Sequence, residues 1–117
     1  MPYLLLIHEP VGQRQQRGLE QGQAVYDRML QFAASLQRRG VLKAVESLSS
    51  LDKSARITVR EGKARVLDGP FAEAKEMVGG FFLLDVGSRE EAVAIARECP
   101  AAEWATIEVR ETGPCYT

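Results

Sequence analysis

Two short runs, Leu4-Leu5-Leu6-Ile7 and Phe81-Phe82-Leu83-Leu84, are apolar at every position. A strand sends alternate side chains to opposite faces, so a strand that is apolar throughout asks for burial on both. In a chain of 117 residues, its own helices are expected to cover one face only. The other face must meet something else. The simplest cover is the same face of a second subunit, so a homodimer is the expected assembly.

The segments between these runs alternate in type. Tyr3 to His8 reads as the first strand, and the polar stretch Glu9 to Gly18, with Pro10 and Gly12, reads as a loop. From Leu19 to Arg39, Val25, Met29, Phe32, Ala33 and Leu36 recur at three- and four-residue steps, with Tyr26 and Leu30 widening the stripe. That spacing predicts an amphipathic helix, stopped by Gly40. Val41 to Leu48 reads as a strand and Ser49 to Ser54 as a loop. Ala55 to Leu67 reads as a hairpin about Glu61-Gly62, with Val59 opposite Ala64 and Ile57 opposite Val66. Its other face carries Thr58, Arg60, Lys63 and Arg65.

Gly79-Gly80 is read as opening a strand from Phe81 to Val86. Ser88-Arg89-Glu90-Glu91 is a capping box for a helix burying Ala92, Ile95, Ala96 and Cys99, which Pro100 ends. Ala105 to Val109 is the last strand. With no repeat or linker, residues 1–117 are expected to form one domain. The order predicts an α+β, ferredoxin-like sandwich of the dimeric α/β-barrel type. Its antiparallel sheet would carry two helices on one face, with an added β-hairpin.

Composition narrows the partners. A net charge of -1 gives no general pull toward nucleic acid or an anionic membrane. No apolar run approaches the ~20 residues of a membrane-spanning helix. Met1-Pro2-Tyr3 lacks the basic start of a secretory signal. Cys99 and Cys115 fit neither a metal spacing nor a disulfide framework, which predicts reduced thiols in a cytoplasmic protein. One histidine and two separated cysteines do not make a structural zinc site, and neither metal nor cofactor is expected. There is no phosphate-cradling glycine loop and no nucleophile elbow.

Candidate chemistry gathers at strand ends. His8, the chain's one histidine, should share a face with Leu4 and Leu6, and an imidazole there is the default proton-transfer group. A strand-end histidine bonded to backbone is the alternative. Asp68, before Gly69-Pro70, either holds its own turn or orients His8. Lys75 and Arg65 are candidates to bind an acidic ligand, against the alternative of a solvated surface. Tyr26 could bring a hydroxyl to a cleft mouth, although a core aromatic is the simpler expectation. Arg60 directly opposite Lys63 is a like-charge pair that needs compensation.

The segment Asp68-Gly69-Pro70-Phe71-Ala72-Glu73-Ala74-Lys75-Glu76 closely resembles the signature of the DGPF branch of the YCII-related family. Tyr3-Leu4-Leu5-Leu6-Ile7, Gly79-Gly80-Phe81 and Ile107-Glu108-Val109-Arg110 extend the resemblance over nearly the whole chain. It implies a ferredoxin-like dimer whose packed sheets enclose clefts, with a His and an Asp used in such a cleft by YCII-type relatives. It also implies an association of DGPF members with extracytoplasmic-function sigma factors. The chain departs from the pattern at Ala74, where Thr is usual, at His8, where Tyr is commoner, and at Val45-Glu46, often Gly-Glu. Two functions remain open. One is a small-molecule enzyme in which His8 moves a proton, Asp68 orients it and basic residues hold an acidic substrate. The other is a non-catalytic binding or regulatory module.

Overall fold

In the computed structural model, which describes residues 2–116, Tyr3–Pro10 forms strand β1. Its burial alternates: Tyr3, Leu5, Ile7 and Glu9 are buried, whereas Leu4, Leu6 and His8 are half-exposed on the other face. A short helix α1 (Gln13–Arg17) and the long helix α2 (Leu19–Arg38) lead to β2 (Leu42–Ser47). After β3 (Ala55–Arg60) and β4 (Lys63–Asp68), β5 (Glu76–Leu84) returns to the centre of the sheet. Helix α3 (Arg89–Glu98) and β6 (Thr106–Glu111) complete the order.

Four strands make one antiparallel sheet in the order β2-β5-β1-β6. With α2 joining β1 to β2 and α3 joining β5 to β6, this is the split β-α-β pattern of the ferredoxin-like fold. The two all-apolar runs are its central strands, paired Leu4 with Leu83 and Leu6 with Phe81.

The core forms on the face that the helices cover. Leu5, Leu36 and Leu84 are fully buried, each contributing about 1.5–3 kcal/mol relative to exposure. Phe32 of α2 meets Phe82 of β5 edge to face, with ring centroids 5.3 Å apart. Ala92, Ile95 and Ala96 bring α3 into the same cluster. The Ser88 hydroxyl accepts a hydrogen bond from the Glu91 amide and so caps α3. Cys99 closes that helix in the core, where burial pushes its thiol up from the ordinary range. Helix α2 buries only Phe32 and Leu36, both in its second half.

Strands β3 and β4 pair only with each other. The register sets Val59 opposite Ala64 and Ile57 opposite Val66, and places Arg60 opposite Lys63. Glu61 and Gly62 turn the chain with φ of 53° and 77°, the paired left-handed conformation that suits a two-residue hairpin. At the root of this hairpin the Gly69 amide donates to the Ser54 carbonyl, and the Arg56 guanidinium lies 3.8 Å from the centre of the buried Phe71 ring. Among the described residues, no helix is long and apolar enough to cross a membrane.

Two segments differ from the sequence-based expectation. The polar stretch expected as loop contains α1, whose five residues bury nothing and so carry no apolar period. Strand β5 begins at Glu76 and runs through Gly79-Gly80, so the glycines lie inside the strand.

Candidate functional site

Glu9 is the one buried charged residue among the described residues, and strand alternation puts it there. It follows Tyr3, Leu5 and Ile7 on the covered face of β1. A buried carboxylate needs a counter-charge and hydrogen bonds. Arg14 of α1 supplies both: Nε donates to Glu9 Oε2 at 3.0 Å, and Nη2 donates to Oε1 at 2.8 Å. This two-pronged geometry fixes both side chains in one plane. Arg14 Nη1 also donates to the Leu48 carbonyl at 2.8 Å, just past β2. One guanidinium thus ties α1 to β1 and to the end of β2.

Room for the pair comes from β5. Ile7 pairs with Gly80 but His8 pairs with Val78, so Gly79 is an extra residue in a bulge. A Cβ on Gly79 would lie 1.7 Å from Glu9 Oε1, and one on Gly80 would lie 2.8 Å from the Glu46 carbonyl. The double glycine is therefore a close-approach site for a carboxylate and a neighbouring strand, rather than a tight start to β5.

The pair lines a cleft of about 860 Å3 between α2 and the sheet. Pockets for small ligands are typically about 300–1,000 Å3 and mostly apolar. Here Val25, Met29 and Ala33 line the helix side, and Ile7, Val45 and Phe82 the sheet side. Leu19, Tyr26 and Leu30 line the cleft where it meets solvent, and all three are exposed. Trp104 also lines it. Its ring lies 5.4 Å from the Arg17 guanidinium and 5.5 Å from that of Arg28. Arg28 in turn forks onto Glu103 and holds that carboxyl below the usual carboxylate range.

His8 lies on the opposite, open face of the sheet, the face it shares with Leu4 and Leu6. Its Nε2 is 2.7 Å from Glu108 Oε1. An ionised carboxylate only accepts, so Nε2 carries the proton of that bond. Glu108 sits opposite Leu6 in the β1–β6 register, one same-face step from His8. The carboxylate paired with His8 within the chain is thus Glu108. Asp68 ends β4, opposite Ala55 on the hairpin, and its exposed carboxylate makes no hydrogen bond or ion pair among the described residues.

The other sequence-derived site residues separate as well. Tyr26 is at the cleft and half-exposed, so it is a rim residue rather than a core aromatic. Arg65 is exposed on the hairpin, opposite Thr58. Lys75 is exposed, and its carbonyl accepts from the Val11 amide at 2.9 Å, which fixes the loop beside the end of β1. Neither Arg65 nor Lys75 lines the cleft. Among the described residues, no group of three His, Cys, Asp or Glu side chains gathers as a metal site would require.

Sequence reasoning alone does not single out Glu9, Arg14 or Trp104. A signal for the first is present: continuing the alternation of Tyr3, Leu5 and Ile7 by one step buries a charge. No comparable signal points to Arg14, because the helix that presents it has no apolar pattern.

Comparison with known proteins adds two findings. Residues 1–114 match the YCII-related domain. An uncharacterised protein of Rhizobium meliloti (strain 1021) is 36% identical over 90 residues, covering 72% of this chain and 73% of its own length.

Proposed function

Since the chain belongs to the YCII-related family, with a match that spans nearly all of it, we propose that its function is to bind a small molecule in the cleft between α2 and the sheet. The Asp68–Glu76 loop supports a finer placement in the DGPF branch. The observation that carries the reading is the composition of the cleft. Its walls are mostly apolar, and the buried Glu9 is held with Arg14 in a single orientation by both side chains and by the Leu48 carbonyl. A buried ion pair adds little net stability compared with apolar packing. A fixed polar group in a mostly apolar pocket is what orients a ligand.

The test is a screen of small apolar and amphipathic compounds by shift of melting temperature, run in parallel on Ala33→Phe. Ala33 lines the cleft, so the added ring takes up ligand space. Compounds that stabilise the native protein should lose at least tenfold in affinity for the variant. The reading fails if no compound binds, or if those that bind do so equally to both proteins.

A second reading concerns the open face, where Leu4, Leu6, Phe81 and Leu83 form a half-exposed apolar stripe. A second copy placed there would make a homodimer. It would also enclose His8 and Glu108, giving the imidazole a carboxylate partner suited to proton transfer.

A further inference from the structure

The Arg17 guanidinium is the cleft's uncommitted cation. It lines the cleft, lies over Trp104, and has no carboxylate within 4.0 Å among the described residues. The other charges nearby are already matched or turned away. Arg14 is neutralised by Glu9, and Arg28, beside the same ring, is matched by Glu103. Glu46 stands opposite Phe81, so its side chain belongs to the open face of the sheet. The cleft therefore presents one unmatched positive charge beside Trp104, within walls that are mostly apolar.

We infer that the ligand is a small organic anion, with its acidic group at Arg17 and its apolar body between Met29 and Phe82. This rests on the cleft being a binding site and adds the charge of the ligand and the residue that reads it. Stacking on the indole limits the rotamers open to Arg17, so little ordering is needed when an acid binds. Gln15 and Gln23, both at the cleft, can donate to the same acidic group without altering the charge balance.

The test uses two dyes with the same aromatic body, 8-anilinonaphthalene-1-sulfonate and the neutral N-phenyl-1-naphthylamine. Trp104 is the chain's one tryptophan, so energy transfer from it reports bound dye, and loss of that signal in Ala33→Phe assigns the dye to the cleft. The sulfonate should bind about tenfold more tightly than the neutral dye. Arg17→Gln should remove that advantage and leave the neutral dye within about twofold, while Arg17→Lys keeps part of it. Two results overturn the inference and leave the cleft reading standing: equal binding of the two dyes, or a sulfonate preference that survives in Arg17→Gln. If neither dye receives energy from Trp104, the cleft reading falls and takes the anion with it.

Discussion

At the scale of single residues, the tightest constraint is the contact of Gly79 with Glu9. The carboxylate occupies the volume that a side chain at position 79 would need. Gly79→Ala should therefore displace Glu9 from Arg14 and leave a buried charge without its partner. The expected loss is about 2–4 kcal/mol of unfolding free energy, read by urea denaturation. Gly69 is constrained in a similar way, since a Cβ there would lie 1.8 Å from the Leu51 carbonyl. Asp68-Gly69-Pro70-Phe71 thus has a packing role at its second position and, through the buried Phe71, at its fourth. The exposed Asp68 is the part of that motif that packing does not explain.

Among elements, α2 matters most because it does two kinds of work. Phe32 and Leu36 hold it to the core, and residues between Leu19 and Ala33 supply a wall of the cleft. Gly22 lies in the first half, where an added Cβ would meet nothing within 4 Å. Gly22→Ala should raise stability by up to about 1 kcal/mol through helix propensity alone, measured by thermal melting. A loss instead would mean that the helix needs the flexibility of glycine there. The sequence displayed α2, α3 and the central strands because each buries a periodic face. Position 8 was legible for the same reason, since alternation with Leu4 and Leu6 decides its side of the sheet. Helix α1 and the early start of β5 were hidden. The first buries nothing, and the second crosses two glycines whose presence answers to a partner strand and a carboxylate. Pairwise meetings such as His8 with Glu108 depend on strand register across 100 positions, which local patterns do not encode.

At the scale of the whole molecule, the helices among the described residues cover one side of the sheet. Leu6, at the middle of the open face, is the position from which to test the proposed homodimer. Leu6→Lys should convert the dimer to a monomer in light scattering while leaving Trp104 emission unchanged, because that ring lies on the helix side. A native protein that is already monomeric would remove the interface from consideration. The β3–β4 hairpin has a different consequence. Its two six-residue strands bond to each other, every residue of both is exposed, and none belongs to the core cluster. Unzipping it costs the contact of Arg56 with Phe71 at its root and leaves the main core cluster intact, so its backbone protons should leave for solvent on a faster clock than those of β1 and β5. A protease should make its first cut there and spare the central sheet.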